Sequence, residues 1–367
     1  MKGNVLHIFA SRTWGGGEQY VFDLAQRQIE NGCRVVLLSG DSKVIRDKVK
    51  PLNCRYFSLR YRWHFNPFSI ARVRNIILRE QTEVVHVHQF RDAFIAVFAT
   101  LLMTQRQRPR IVMTRHLAKR GKNFFLYRWM YSRLHKLIFV SALARREFLK
   151  GARIPENKIA VVHNSLAARN SSGPQTDYRK QYGLGADCLL VGFVGGIAKF
   201  KGVELLLEVA EKLRDKNAVF LLAGRGTAAY ELFLKQLIAS KNLESHFHLI
   251  GFVDNPASFI IQTDLGVMPS LCVEAFGLAA LEFMRQGVPV IVSDTGAQME
   301  FVENGKTGLI VAPNVAELSA AVEKLLADAD WRASLGARAR EFSAQALSYD
   351  VFFEKIMKLY GFADHGK

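Results

Sequence analysis

The chain has 367 residues, of which 49% are hydrophobic and 23% charged, with four cysteines and a formal net charge of +17. That length exceeds one small core and predicts two domains, and the composition excludes a disordered chain. The charge is lopsided: residues 1–165 hold 30 Lys+Arg against 10 Asp+Glu, leaving 20 against 23 for the rest, so an anionic partner is expected at the first half. Cys33, Cys54, Cys188 and Cys272 are scattered without zinc-ligand spacing, which points to reduced thiols in a cytosolic protein. Val5–Phe9 is too short for a signal peptide. The longest apolar run, Ala93 to Met103, falls well short of the ~20 residues a spanning helix needs. A cytoplasmic protein is expected, peripheral on the inner face of the cytoplasmic membrane through its basic half.

In the first half, Val5–Phe9, Arg34–Leu38, Val84–Val87, Arg110–Met113 and Leu137–Val140 read as strands. Helical runs fall between them at Gln19–Glu30, Pro67–Glu80, Phe90–Met103 and Asn123–Leu134. Continuously apolar strands alternating with helices predict a doubly wound parallel sheet. A polar stretch, Arg169–Gln175, reads as a linker, and the rhythm then restarts. Strands are expected at Leu189–Val194, Val219–Ala223, Phe247–Ile250, Leu265–Met268, Val288–Val292 and Leu309–Val311. Helices are expected at Gly202–Lys212, Ala229–Ser240, Pro256–Gln262, Leu278–Arg285, Gln298–Val302 and Val315–Ala327, with an amphipathic tail helix at Tyr349–Tyr360. The predicted domains are 1–168 with the tail 347–367, and 169–346.

Ligands of such sheets bind beyond the carboxyl ends of the strands, so motifs at strand ends carry the functional reading. Trp14-Gly15-Gly16-Gly17-Glu18 follows the first strand, and its glycines let a backbone approach a phosphate at a helix start. It is not a dinucleotide fingerprint, because Tyr20 takes the last position. Gly224-Arg225-Gly226, with Ala229 following, passes a loose form of that fingerprint but lacks a well-placed acidic partner, leaving a phosphate-facing turn. Gly195-Gly196-Ile197-Ala198-Lys199-Phe200-Lys201-Gly202 puts lysines in a glycine-flanked loop suited to a diphosphate. Glu274 and Glu282 flank Phe276-Gly277-Leu278, where a helix start offers free N–H groups. Glu274 is expected in the loop and Glu282 about two turns into the helix, two carboxylates able to hold hydroxyls. His116 follows a strand end, whereas His86 reads as a core residue. Lys119–Phe139, and more loosely Arg55–Arg79, interleave basic with aromatic residues; a membrane interface, nucleic acid or an inward-packing amphipathic helix all fit.

In this order and spacing the set resembles glycosyltransferase family 4, retaining enzymes of the GT-B fold, over nearly the whole chain. The residues that carry the resemblance are Gly15–Glu18, Val84–His88, Thr114–His116, Val161–Asn164, Lys201-Gly202, Glu274 with Glu282, and Gly287–Val311. The resemblance implies two Rossmann-like domains facing a central cleft, the first binding acceptor and the second binding a nucleotide sugar. It implies that Glu274, His116 and Lys201 act in catalysis: Glu274 on the sugar hydroxyls, His116 facing the reacting sugar and Lys201 on the diphosphate. Glu282 would hold the ribose. Gly16, Gly17, Gly196, Lys199, Gly224, Arg225 and the amides of Phe276, Gly277 and Leu278 would line the donor site, and Val253 would border the base. The tail helix would cross back onto the first domain. Two positions depart from the pattern. Gly196 stands where many members have arginine, so Lys199, with Arg225, is expected to substitute, and Ser165 stands where glycine is usual.

These readings predict a metal-independent hexosyltransferase with no cofactor, taking a UDP-sugar as co-substrate and a glycan or glycolipid as acceptor. Its products would serve lipopolysaccharide or polysaccharide biosynthesis, and its basic domain would meet an anionic membrane surface rather than nucleic acid. The alternatives are a sugar-nucleotide epimerase of related fold and a nucleic-acid-binding protein using the basic half.

Overall fold

The structure, a computed structural model, describes residues 3–59, 66–167 and 176–362. The expected linker Arg169–Gln175, the 168/169 boundary, residues 363–367 of the tail and the middle of Arg55–Arg79 lie outside the described residues. The chain divides into two compact units, Met1–Asn164 with Tyr349–Lys367, and Ser165–Ser348.

Among the described residues of the first unit, seven strands form one parallel sheet: β1 (Asn4–Phe9), β2 (Arg34–Gly40), β3 (Arg55–Leu59), β4 (Val84–Val87), β5 (Arg110–Arg115), β6 (Lys136–Phe139) and β7 (Ile159–Val161). Their spatial order is β3-β2-β1-β4-β5-β6-β7. In the second unit β8 (Leu189–Val194), β9 (Ala218–Ala223), β10 (Phe247–Gly251), β11 (Leu265–Met268), β12 (Val290–Ser293) and β13 (Leu309–Val311) form a second parallel sheet. The order there is β10-β9-β8-β11-β12-β13, the same winding. In both, the strand order reverses beside the first strand, between β1 and β4 and between β8 and β11, and that reversal opens a crevice at the carboxyl edge. The central strands are buried on both faces, which is why they read as unbroken apolar runs.

The edges depart from expectation. Arg55–Leu59 is a strand although its basic-aromatic sequence lacks an apolar run, and it pairs with β2 on one side only. Ile159–Val161 is a three-residue edge strand. Helices at Lys43–Val49, Ala142–Leu149 and Ala329–Ala346 were not expected, and Gln298–Val302 is instead a short 3-10 turn, Ala297–Glu300. The 18-residue helix Ala329–Ala346 escaped because its buried stripe is Leu335, Gly336, Ala339 and Ser343, too small to register as a hydrophobic face. Small residues allow close packing there: a Cβ on Gly336 would lie 2.0 Å from the Gly287 carbonyl, just past the helix Leu278–Gln286.

The tail helix Tyr349–Tyr360 belongs to the first unit and inserts Phe352, Phe353, Ile356, Met357 and Tyr360 into the core formed by Val5, Val21, Leu24 and Leu37. Side chains of this kind contribute roughly 2 kcal/mol each when buried. Arg27 pairs with Asp350 at the rim, and Arg110 donates to the carbonyls of Tyr360 and Gly361, both at 2.8 Å.

Candidate active site

At the reversal of the second sheet, the loops leaving β8 and β11 are zipped together. The Leu271 N–H donates to the Phe200 carbonyl at 2.9 Å. Gly202 adopts φ +75, and a Cβ there would lie 2.1 Å from the Pro269 carbonyl, so glycine is demanded twice over. This contact brings Lys201 and Glu274, 73 residues apart in the chain, into a direct ion pair in which Lys201 Nζ donates to Glu274 Oε1. The Ser270 hydroxyl donates to the same oxygen at 2.8 Å. Both partners are mostly shielded, with side-chain exposures of 26% and 17%, so the pair is worth more than a solvated one.

The loop bearing Glu274 is clamped by the segment after β12. Ser293 Oγ and Thr295 Oγ1 each donate to the Ser270 carbonyl at 2.8 Å, and the Ala297 N–H donates to the Glu274 carbonyl at 2.9 Å. Gln298 is buried against Gly277, where a Cβ would lie 2.6 Å from Gln298 Cγ. The helix Leu278–Gln286 then starts from left-handed Gly277 (φ +93) with no side chain capping it. Its positive dipole end is therefore left without a side-chain cap, which is what an anion site at a helix start requires. Two details differ. Phe276 is buried and stacks on Phe301 at 4.9 Å, so only its backbone can serve a ligand. Glu282 differs from expectation: it is the fifth helical residue, and at 3.6 residues per turn it lies little more than one turn in rather than two.

The Gly224-Arg225-Gly226 turn has a different character. The Gly224 N–H donates to the Gly251 carbonyl at 2.8 Å, and its missing Cβ makes room for the Gly195 carbonyl, 1.7 Å from where that atom would stand. The Gly226 N–H donates to Glu231 at 2.6 Å, and the Tyr230 N–H to Thr227. These amides are engaged within the protein, so Gly224 serves packing, contrary to a phosphate cradle. Arg225 lies 5.8 Å from the ring centroid of exposed Phe252, next to Val253, which makes a flat, cationic edge there. Gly196 is exposed with open space around it, and Lys199 points outward, 77% exposed and 3.8 Å from Glu204.

The first unit has its own pocket at the equivalent reversal, about 700 Å³ and lined by residues that include Gly17, Glu18, Arg115, His116, Lys122 and Tyr127. Gly16 and Gly17 open the helix Gly16–Glu30, whose start has no side-chain cap, and a Cβ on Gly17 would meet open space. The fold makes no steric demand for glycine at 17, which leaves room for a ligand there. His116 Nε2 lies 3.1 Å from His88 Nδ1 and its ring meets Tyr20 edge-on. Burial, reinforced by the neighbouring Arg115 guanidinium, pushes the His116 imidazole down to about 4. It is neutral at physiological pH, a hydrogen-bonding group rather than a cation. In the basic-aromatic stretch, the helix Phe125–Arg133 turns Met130 and Tyr131 inward while Phe124 and Phe125 stand 67% and 84% exposed, so only part of its aromatic content packs inward.

Three buried imidazoles, His7, His86 and His88, have ring nitrogens within 4.8 Å of one another, a possible metal grouping. Their nitrogens are otherwise occupied. His86 bonds Tyr360 and Thr114, both at 2.7 Å, while His7 bonds Gln28 at 2.8 Å and His88 at 3.4 Å. A cation would have to displace these bonds. Ser270 and Gln28 are site-building residues without a signal in the sequence, whereas His88 and Thr295 lie in the motifs Val84–His88 and Gly287–Val311. The segment after β12 was noticed as a motif, but nothing local reveals that its hydroxyls hold another loop.

Two family models match this chain: Glycosyltransferase Family 4 over residues 14–167, and Glycosyl transferases group 1 over residues 174–342. The chain is similar to the alpha-D-kanosaminyltransferase of Streptomyces kanamyceticus, 26% identical over 328 residues, 83% of this chain and 84% of that protein. It is also similar to the O-antigen biosynthesis glycosyltransferase WclY of Escherichia coli, 29% identical over 151 residues, 41% of each. Its fold is similar to that of Anabaena HepE, solved in complex with UDP-glucose (TM-score 0.83, 18% identity, 98% of this chain and 99% of that one).

Proposed function

As the chain belongs to glycosyltransferase family 4 and has the two parallel-sheet domains of the GT-B fold, we propose that it transfers a hexose-type sugar from a UDP-sugar with retention of configuration. The acceptor is an anionic or lipid-linked saccharide of lipopolysaccharide or surface polysaccharide synthesis. The observation that carries this reading is the Lys201–Glu274–Ser270 cluster beside an uncapped helix start at the reversal of the second sheet. Support for the donor comes from HepE, which binds UDP-glucose, and for the pathway from WclY, an O-antigen enzyme.

The chemistry follows from the cluster. Without ligand, Lys201 and Glu274 hold each other in place, so neither must be ordered when donor arrives. A diphosphate draws the Lys201 ammonium and the amides of Gly277 and Leu278, and Ser270 stays on Glu274 while its carboxylate turns to the sugar hydroxyls. Charge developing on the leaving phosphate meets Lys201 and the helix dipole, which supply the positive charge a metal would otherwise bring. Attack on the same face, with the leaving phosphate assisting deprotonation of the acceptor, is the favoured route, in contrast to the paired carboxylates of retaining glycosidases. In the first unit, neutral His116 hydrogen-bonds a sugar hydroxyl. The excess of basic residues there, with exposed Phe124 and Phe125, brings the enzyme to an anionic membrane surface as a peripheral protein. No helix among the described residues is long and apolar enough to cross a membrane.

The test is a panel of nucleotide sugars followed by product analysis with a lipid-linked acceptor. Donor-dependent thermal stabilisation and an acceptor product of retained configuration, formed in the presence of a chelator, are expected. A product of inverted configuration would overturn the mechanism. Conversion of the UDP-sugar without acceptor into its epimer would overturn the transfer itself.

A further inference from the structure

Beneath the pocket of the first unit runs a hydrogen-bonded chain that reaches from His116 to the tail helix. His116 Nε2 is 3.1 Å from His88 Nδ1, His88 Nε2 is 3.4 Å from His7 Nδ1, and His7 Nε2 is 2.8 Å from Gln28 Oε1. Gln28 is fully buried, and its amide nitrogen donates to Tyr360 Oη at 3.2 Å and to Met357 Sδ at 3.9 Å. A thioether sulfur only accepts, so the Gln28 nitrogen must face the tail helix and its carbonyl oxygen must face His7. That single orientation decides every proton above it.

Gln28 Oε1 is an acceptor, so His7 carries its proton on Nε2. A neutral imidazole holds one N–H, so His7 Nδ1 accepts and His88 must donate from Nε2. His88 Nδ1 then accepts, and His116 must donate from Nε2. What remains is His116 Nδ1, which has no protein partner among the described residues and belongs to a side chain lining the pocket. Burial keeps the chain neutral, with His7 and His116 pushed down to about 4 and His86 and His88 well below the ordinary value. The second branch obeys the same rule. Tyr360 Oη accepts from Gln28 and donates to His86 Nδ1 at 2.7 Å, so His86 donates from Nε2 to Thr114 Oγ1 at 2.7 Å.

We propose that Gln28 is a positioning residue that fixes the tautomer of His116 through His7 and His88, so that His116 offers an unprotonated Nδ1 as the acceptor for a substrate hydroxyl. This rests on the glycosyl-transfer reading only for the source of that hydroxyl, a sugar. The tautomer is a property of the ligand-free protein and is tested without any reaction.

The experiment is nitrogen-15 NMR of histidine-labelled full-length protein at neutral pH, with the His116 signals assigned by their loss in His116→Gln. The expected result is a proton on Nε2 and a bare Nδ1 for His116, His88 and His7 alike. In Gln28→Met, which keeps the length and removes the acceptor, the His116 signature should become a mixture of both tautomers. Turnover should fall on the order of 10- to 100-fold with donor KM nearly unchanged. Gln28→Glu, whose carboxylate still accepts from His7, should keep the Nε2–H pattern. A proton on Nδ1 of His116 in the unaltered protein would overturn the proposal, and that spectrum decides even if Gln28→Met does not fold. So would a Gln28→Met protein with the original signature, or stoichiometric zinc bound through His7, His86 and His88. If the tautomer is as assigned and no glycosyl transfer is found, the functional reading fails and the relay stands.

Discussion

The two units share one winding but arm its reversal point in opposite ways. Between β1 and β4 the first sheet buries imidazoles, held neutral, in a chain of hydrogen bonds closed by Gln28 and Tyr360. Between β8 and β11 the second sheet carries a charged pair, Lys201 and Glu274, on loops forced together by Gly202. The difference follows from cover. The first unit's sheet is sealed by the tail helix, so polar groups beneath it must satisfy one another and lose their charge. The second unit's loops lie nearer solvent, where a pair of ions persists and can be handed to a ligand. On the proposed reading, one reversal point orients hydroxyls and the other neutralises phosphate.

The largest expected effect tests the charged site. Glu274→Ala should lower turnover by about 10³-fold and Lys201→Ala by 10²–10³-fold, roughly 3–4 kcal/mol of transition-state stabilisation. Because the two residues act as one unit, the double variant should lose far less than the sum, and full additivity in kcat would separate them. The next effect belongs to the buried imidazoles. His7 and His116 have folded values of about 4 against an ordinary 6.5, so the unfolded chain takes up the proton first as pH falls. Stability is thus complete above about pH 7 and lost between 6.5 and 4, up to about 3 kcal/mol for His7 alone. Asp92, raised to about 7 by burial, opposes this, since its contribution is lost as pH rises from about 4 to 7, but it is one group against several. Hydrogen exchange at amides of β1 and β4 should record the net loss toward acid, and protection that rises as pH falls from 6.5 would contradict it.

Gly202→Ala should cost about 1–3 kcal/mol of stability, since it combines a left-handed backbone with a contact on the Pro269 carbonyl. Gly196→Ala, in open space, should be nearly neutral in the same thermal melts. Glu282→Ala should weaken nucleotide affinity about tenfold, near 1.4 kcal/mol, with little change in turnover, as calorimetry and kinetics can compare. Lys199→Ala is expected to lower turnover least of the charged-site variants, by about 1 kcal/mol or less, because its ammonium is exposed and shared with Glu204. No loss at all would mean that Lys199 does not replace the arginine absent at position 196.

The legibility of these features in the sequence follows the same contrast. Central strands such as Val84–Val87 and Leu265–Met268 were plain because burial on both faces leaves an uninterrupted apolar run. Arg55–Leu59 was hidden because an edge strand is half wetted, and Ala329–Ala346 because its packing face is alanine, glycine and serine. Lys201 and Glu274 could be picked out by residue type and strand-end position, but not their direct pairing, which depends on a glycine contact between loops distant in the chain. Gly224 looked like a phosphate turn because close backbone packing and phosphate approach call for the same residue. Gln28 gave no signal, since a polar residue at one helical position looks like surface until the tail helix is laid over it.

That covering by Tyr349–Tyr360 also sets an order of events during synthesis. The second unit is continuous from Ser165 to Ser348, and its six strands are all made before the tail helix leaves the ribosome. The first unit, although its strands emerge earliest, must wait for Phe352, Phe353 and Tyr360 before its core is closed and the chain from Gln28 to His116 can form. Of the two units, the one translated earlier is therefore the one that matures later, and its histidine relay comes into being only after Tyr360 has been made.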